Sequence, residues 1–245
     1  MNSRLLIIAL TSSLVIQSAY SAGPKYAADT LTLSSNFQYF RIADHTDYWK
    51  IAPYYLPQHN SKACSVASVA MILNALRAGD KLTAADELFT SESLLKLEKE
   101  FANATGKLGR GLTLDALQKA TQKVLDKTYP IKYVSETYRF NGTDKEKELA
   151  RLKDLLAQNE NDQKNMMIAN FLQGTLTGDP EGNIGHISPI GAYDAKSDRV
   201  LIMDTDRQYY EPYWVSTTKF FEAMNTQDLG SKKARGLIWV QVKQP

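Results

Sequence analysis

The spacing of hydrophobic residues predicts a helical middle for this chain. Residues 64–76 read CSVASVAMILNAL, a run of helical length with small residues at its start and apolar residues on most faces. Gly79 follows where such a helix would end, so we expect a buried helix there. Apolar residues three or four apart predict four more helices, over residues 84–89, 91–101, 114–127 and 145–157.

Polar residues mark the starts of two of these helices. Thr113 is placed as the N-cap of the helix over residues 114–127. Thr143 with Glu146 three residues later forms a capping box before the next helix.

The pattern changes to that of strands in the last third of the chain. Short β-rich runs between turn residues predict strands over residues 165–171, 187–193 and 199–203. Ser216 is placed to cap a helix over residues 216–225, and residues 236–242 alternate as a final strand does. Residues 23–50 show no helical period, so we expect an extended lead-in that wraps the domain.

Composition and charge narrow the class of protein. The chain has 245 residues, of which 43% are hydrophobic, and this is enough to form a full core in one domain. The net charge of +2 comes from 29 basic and 27 acidic residues without a long basic run. This charge pattern argues against nucleic-acid binding.

The first residues have the pattern of an export signal. Arg4 precedes an apolar stretch over residues 5–16, and Ala19-Tyr20-Ser21 is a small-x-small cleavage pattern. We therefore predict a signal peptide over residues 1–22, a single domain over residues 23–245, and a periplasmic or secreted location. The apolar stretch is short for a membrane span, so a retained anchor is disfavoured.

Cys64 is the only cysteine, and its position suggests chemistry. A lone cysteine in an exported chain forms no internal disulfide, and most free cysteines are simply small buried hydrophobes. Cys64 opens the predicted helix, however, where the N–H groups and partial positive charge of the helix terminus stabilise a thiolate. Composition alone favours a packing role for Cys64, whereas its position at the start of the helix favours a role as a nucleophile.

A nucleophilic cysteine needs a base, and the chain has three histidines. His45 lies in the polar lead-in, where a surface histidine is usual. His59 lies five residues before Cys64 without an obvious orienting partner. His186 has the best context, because it begins a predicted β-hairpin.

The hairpin supplies a partner for His186. Its turn lies near residue 196, so the antiparallel register sets His186 nearly opposite Asp204. A carboxylate that fixes the imidazole completes a Cys64, His186 and Asp204 triad. Asp206 has the same strand parity and stays an alternative orienter.

Other candidate residues concern the oxyanion and metals. Gln58, six residues before Cys64, is a candidate oxyanion donor, although a loop glutamine is also an ordinary surface residue. One cysteine and three scattered histidines form no short-spaced ligand motif, so we predict no metal site and no tightly bound cofactor.

Three segments resemble the phytochelatin synthases, especially the short bacterial forms that consist of the catalytic domain alone. Gln58 and Cys64 lie in QHNSKACSVASVAMILNAL, and His186 and Asp204 lie in GHISPIGAYDAKSDRVLIMDTDR. Arg235 lies in ARGLIWV, which is similar to the segment whose arginine the family uses at the substrate carboxylates. The resemblance covers roughly residues 30–243.

This resemblance implies a fold and an activity. The expected fold is α+β and papain-like, a helical half with the nucleophile helix packed on an antiparallel sheet that carries His186 and Asp204. The expected substrate is glutathione or a related γ-glutamyl peptide, cleaved at its Cys–Gly bond through a thioester on Cys64. Arg235 and Arg207 are candidate carboxylate binders, since a guanidinium grips a carboxylate with two hydrogen bonds.

The sequence departs from the family pattern at two positions beside Cys64, and the metal dependence and oligomeric state are less directly implied. Ala63 and Ser65 stand where the family commonly has tyrosine and glycine, so we expect an altered rate or acceptor preference. The cysteine-rich C-terminal region of the plant type is absent, so thiophilic ions such as Cd, Zn and Cu would act mainly as metal-thiolate substrates or activators. A homodimer is left open, and no membrane partner is expected after leader cleavage.

Two other functions remain as alternatives. A papain-like peptidase would share the nucleophile and the base but act on other peptides. A non-catalytic exported thiol or metal-binding protein would keep the fold without the chemistry, although one thiol makes a weak metal site.

Overall fold

A computed structural model describes residues 24–42, 47–129, 133–140 and 143–242 of the chain. The predicted leader and His45 lie outside the described residues. The elements of this part are seven strands and eight α-helices, joined by turns and three short 3-10 segments. The strands are β1 (Leu31–Thr32), β2 (Tyr133–Tyr138), β3 (Asn165–Leu172), β4 (Gly185–Asp194), β5 (Arg199–Ile202), β6 (Tyr213–Ser216) and β7 (Gly236–Val242). The helices are α1 (Asp47–Ile51), α2 (Cys64–Leu76), α3 (Ser91–Leu97), α4 (Lys99–Thr105), α5 (Leu114–Thr128), α6 (Lys145–Asn161), α7 (Gln173–Thr177) and α8 (Thr217–Met224).

All seven strands join one antiparallel sheet. Their order across the sheet is β1-β6-β5-β4-β3-β7-β2, so β4 and β3 lie at its centre. The side chains of each central strand alternate between two hydrophobic cores, as the pleat of a strand requires. On β7, for example, Ile238 and Val240 face one core while Leu237 and Trp239 face the other.

The two cores place helices on both faces of the sheet. The first core packs α2 and α5 against one face, and the second packs α6 and α8 against the other. Every residue of α2 is buried, which matches its apolar character on all sides. The architecture is α+β, with the helical half resting on an antiparallel sheet as expected.

Several predicted elements are confirmed by the structure. The helix at Cys64–Leu76 and the strand at Gly236–Val242 have the predicted bounds. Thr113 caps α5 by accepting a hydrogen bond from Ala116 N–H, and Ser216 caps α8 by accepting one from Lys219 N–H. The hairpin of β4 and β5 is also present.

Two helix predictions are wrong. Residues 84–89 form turns and irregular chain, because residues 84–88 are exposed and a helix this short is not stable without an apolar face packed on the core. The helix expected over residues 91–101 is divided into α3 and α4 at Glu98, whose backbone is extended. The buried carboxylate of Glu98 pairs there with Lys123 and Lys127 of α5.

Other elements differ in extent or were missed. The N-cap of α6 is Asp144, which accepts a hydrogen bond from Lys147 N–H, rather than Thr143. The lead-in is extended only in part, since it contains β1, two 3-10 turns and α1. The pattern also failed to predict β2, β6 and α7.

In the described part of the chain, no helix is long and apolar enough to cross a membrane.

Candidate active site

The Cys64 side chain lies at the first residue of α2, between the helical half and the sheet. Cys64 is 7% exposed. Ser68, one turn further on, has its hydroxyl 2.7 Å from the carbonyl oxygen of Cys64 and 3.1 Å from that of Ile187. This hydroxyl therefore connects the first turn of the nucleophile helix to β4, beside His186.

His186 lies between Cys64 and Asp204. Its Nε2 is 2.9 Å from Oδ1 of Asp204, and the Cys64 side chain lies close enough to the ring to raise the pKa of His186. Because Asp204 occupies Nε2, Nδ1 is the ring nitrogen left for the sulfur. The structure thus brings together the three residues that the sequence proposed as a triad.

Charge interactions inside the site favour a protonated imidazole. Burial lowers the pKa of His186, but the Asp204 carboxylate and the Cys64 sulfur more than offset it, so the pKa of His186 lies well above its ordinary value. Burial raises the pKa of Asp204, but His186 and hydrogen bonds to the carboxylate hold that pKa below its usual range. An imidazolium beside a sulfur is the state that stabilises a thiolate nucleophile.

The contact between His186 and Asp204 arises differently from the predicted register. A bulge at Gly191 shifts the ladder, which pairs Ile190 with Ile202 and Ala192 with Leu201. Strand β5 ends at Ile202, so Asp204 lies beyond the regular ladder rather than on it. The chain after β5 turns its carboxylate back toward the start of β4.

Residues that the sequence did not single out hold the Asp204 carboxylate. Tyr213 donates its hydroxyl to Oδ2 at 2.9 Å, and Gln173 donates its amide to the same oxygen at 3.0 Å. The N–H of Asp206 donates to Oδ1 at 2.8 Å. Tyr213 and Gln173 begin β6 and α7, two short elements that the hydrophobic pattern did not predict.

Asp206, the alternative orienter, has a different place. The hydrogen bond from the His186 ring goes to Asp204, and Asp206 reaches Asp204 through its backbone. Burial raises the pKa of Asp206, although the charge of His186 acts in the opposite direction. Asp206 is therefore a second carboxylate near the imidazole rather than its partner.

Gln58 reaches this region through its backbone. Its N–H donates to the carbonyl of Thr205 at 2.8 Å, beside Asp204. Its side-chain Oε1 is buried and has no hydrogen-bond partner among the described residues. His59, next along the chain, is exposed.

The two candidate carboxylate binders lie in different surroundings. Arg235 is 7% exposed and donates from Nη1 to Asn170 and from Nε to Thr226. Its guanidinium is so close to Gly185, the neighbour of His186, that a Cβ there would lie 2.3 Å from Nη1. Arg207 is exposed and stacks over the ring of Tyr55 at 4.5 Å. Arg235 is therefore the better placed of the two beside the imidazole.

Ser65, one of the two departures beside the nucleophile, is fully buried. Its hydroxyl has no hydrogen-bond partner among the described residues. Ala63, the other departure, is also buried and precedes the helix as its N-cap without a side-chain hydrogen bond. Neither residue supplies a polar contact to the site.

The described residues contain no cluster of three or more histidine, cysteine, aspartate or glutamate side chains that could hold a metal ion.

A comparison with protein families finds one match along most of the chain. The family described as phytochelatin synthase matches residues 31–237. This range includes Cys64, His186, Asp204 and Arg235.

Curated relatives match over shorter segments. Glutathione gamma-glutamylcysteinyltransferase 3 of Lotus japonicus is 48% identical over 54 residues, which are 22% of this chain and 11% of that protein. Glutathione gamma-glutamylcysteinyltransferase 1 of Arabidopsis thaliana is 36% identical over 74 residues, 30% of this chain and 15% of that protein. Glutathione gamma-glutamylcysteinyltransferase of Schizosaccharomyces pombe is 33% identical over 57 residues, 23% of this chain and 14% of that protein. The chain matches less than a sixth of the length of each of these relatives.

Proposed function

Because this chain belongs to the phytochelatin synthase family, we propose that it is a thiol acyltransferase that breaks the Cys–Gly peptide bond of glutathione. The observation that carries the proposal is the buried arrangement of Cys64, His186 and Asp204, in which the imidazole hydrogen-bonds to the carboxylate and lies beside the sulfur at the start of α2. The names of the curated relatives support the substrate.

In the first half of the reaction, the Cys64 sulfur attacks the carbonyl carbon of the cysteinyl residue. The S–C bond forms, the C–N bond to glycine breaks, and His186 gives its proton to the glycine nitrogen. The product on the protein is a γ-glutamylcysteinyl thioester. Asp204 keeps the imidazole oriented and favours its protonated form.

In the second half, the thioester is passed to an acceptor. The acceptor attacks the thioester carbonyl and loses a proton to His186, the C–S bond breaks, and the Cys64 thiolate is released. Water as acceptor gives γ-glutamylcysteine, and the amino group of a second glutathione gives a phytochelatin. The Cys64 N–H and the Gln58 side chain are the proposed donors to the oxyanion that forms in both halves. Arg235 is the proposed partner of a substrate carboxylate, since its Nη2 makes no hydrogen bond to the described residues and can still donate.

Thiophilic ions enter this proposal as part of the substrate. Cadmium, zinc and copper ions bind thiolates strongly, so a metal complex of glutathione is a natural acceptor or donor.

We also propose that the protein is exported and that its leader is cleaved near Ser21 or Ala22. The intact mass of protein recovered outside the cytosol checks this cleavage.

The test is a product assay on glutathione. Purified chain lacking residues 1–22 is incubated with glutathione, with and without cadmium, and glycine, γ-glutamylcysteine and phytochelatins are quantified. We expect glycine release by the wild type and none by Cys64→Ala, a substitution suited to a small buried position. Absence of glycine release by folded wild type, under both conditions, contradicts the proposal, and faster cleavage of peptides without a γ-glutamyl group identifies a peptidase instead.

A further inference from the structure

The residues just before and within β1 lie against the back of the Asp204 site. We refer to residues 25–32 as the N-terminal strap. At one side the strap meets the end of α7, where Ala27 N–H donates to the carbonyl of Thr177 at 2.5 Å and the Thr30 hydroxyl to that of Leu176 at 2.5 Å. Lys25 adds an ion pair of 2.6 Å with Asp179, just past that helix.

At its other side the strap meets β6 and the loop before it. The Tyr26 ring packs against Tyr213 and Tyr210, with centroids 5.9 and 6.1 Å apart. The Tyr26 hydroxyl accepts the N–H of Glu211 at 3.1 Å. Further on, β1 pairs with β6, with Leu31 opposite Trp214.

The two elements that the strap joins are those that hold one oxygen of Asp204. Gln173 at the start of α7 and Tyr213 at the start of β6 both donate to Oδ2 of Asp204, as described above. A third link runs between the same elements, because Tyr210 donates its hydroxyl to Asp179, the partner of Lys25. Movement of α7 relative to β6 would therefore separate the two donors.

We propose that the N-terminal strap positions the Asp204 carboxylate, and through it the His186 imidazole, by fixing α7 against β6. Lys25 and Tyr26 are the positioning residues: one holds Asp179 and the other packs on Tyr213. Neither contacts His186 or Cys64 in the described structure, so their effect passes through Asp204. The catalytic meaning of this inference rests on the proposed function, but the positioning itself is measurable on Cys64 without any substrate.

The test follows the rate at which iodoacetamide alkylates Cys64 as a function of pH. A well-oriented imidazolium keeps the sulfur reactive at neutral pH. In Tyr26→Ala we expect the midpoint of the rate profile to rise by about one pH unit, which lowers the rate about tenfold at pH values below both midpoints. Tyr26→Phe keeps the ring contacts and should recover most of the reactivity. Lys145→Met, which removes an exposed ion pair with Glu222, is the matched control for Lys25→Met and should behave as the wild type.

The outcomes distinguish an effect of the N-terminal strap on the orientation of His186 from an effect on the stability of the fold alone. A folded Tyr26→Ala variant with a lower melting temperature but the wild-type alkylation profile overturns the inference. If Tyr26→Ala does not fold, Lys25→Met decides, because its side chain is 42% exposed. A shifted profile then supports the inference and an unchanged one overturns it. On glutathione the strap variants should lose kcat with little change in KM, whereas inactivity of the wild type would refute the proposed function and leave the alkylation result valid.

Discussion

Asp204 links the His186 imidazole to the residues that hold the site in place. Its carboxylate meets the imidazole on one oxygen and the Tyr213 and Gln173 donors on the other. It is fully buried, so its charge acts on His186 with little screening by water. The raised pKa of His186 depends on that charge.

Asp204→Asn removes the charge and keeps the size of the side chain. We expect the rate of glycine release to fall by about a hundredfold to ten-thousandfold, because the imidazole loses both its orientation and the stabilisation of its protonated form. The pKa of His186 should fall, so activity should be lost at a lower pH on the alkaline side. A pH series of kcat measures both effects.

Asp206→Asn is the matched control for this prediction. Asp206 lies near the same imidazole but does not make the hydrogen bond to its ring. A larger loss in Asp206→Asn than in Asp204→Asn would reverse the assignment of the two carboxylates.

At the scale of elements, β4 brings the His186 imidazole close to Arg235, the proposed partner of a substrate carboxylate. Gly185 and His186 begin the strand, and the Arg235 guanidinium fills the space over Gly185. Arg235 itself precedes β7, two strands away in the sheet. The absence of a side chain at Gly185 thus lets two distant segments meet.

Gly185→Ala should move the Arg235 guanidinium. The new Cβ would lie 2.3 Å from Nη1, closer than atoms can approach. We expect the KM for glutathione to rise about tenfold, the loss of one charge-assisted hydrogen bond, with a smaller change in kcat. Gly230→Ala, where the nearest atom would be 3.3 Å away, should keep the wild-type KM. An unchanged KM in Gly185→Ala would remove Arg235 from substrate binding.

Elements with a long and clear period were predictable from the sequence, whereas several elements without one were missed. Helix α2 is apolar on all sides and β7 alternates over its length, so both had the predicted bounds. Strand β6 and helix α7 contain only a few residues each, and the pattern over such lengths is weak unless a flanking turn marks the element, as the turn before β5 does. For the same reason the sequence did not identify Tyr213 and Gln173, whose roles depend on contacts across the fold.

The triad shows a prediction that reached the right contact through a different geometry. The hairpin placed His186 and Asp204 close together, and they do meet. The bulge at Gly191 and the early end of β5 depend on packing between strands, which the sequence of one hairpin does not reveal.

At the scale of the whole molecule, a buried aspartate and a half-buried glutamate interact away from the site. Asp47 is 1% exposed and contacts Lys50 and Asn159. Glu160 accepts hydrogen bonds from the Tyr39 hydroxyl and the Tyr193 N–H. Burial raises the pKa of Asp47 to about 7, and burial together with the charge of Asp47 raises that of Glu160 to about 8.

This pair should make the protein less stable as the pH rises. Both carboxyl groups bind protons more tightly when folded than when unfolded, so their stabilising contribution is full at low pH. It is lost as the pH rises from about 4 to about 8, through the folded pKa values. Urea unfolding of the wild type and Glu160→Gln over this range measures the effect.

As the pH rises, Glu160→Gln should show a smaller fall in the urea midpoint of unfolding than the wild type. Glu222→Gln, at an exposed glutamate on α8, is the matched control and should follow the wild-type curve. Parallel curves for the wild type and Glu160→Gln would mean that Glu160 is already ionised at neutral pH.

The strap also bears on the order in which the molecule assembles and opens. Strand β1 has two residues and pairs only with β6 at one edge of the sheet, although the two strands are far apart in sequence. Closing so long a loop for so few hydrogen bonds makes this pairing a late step of folding and an early one in local opening. Warming should therefore release the strap before the cores melt. The thiol would then lose its reactivity at a temperature where the rest of the fold is still intact.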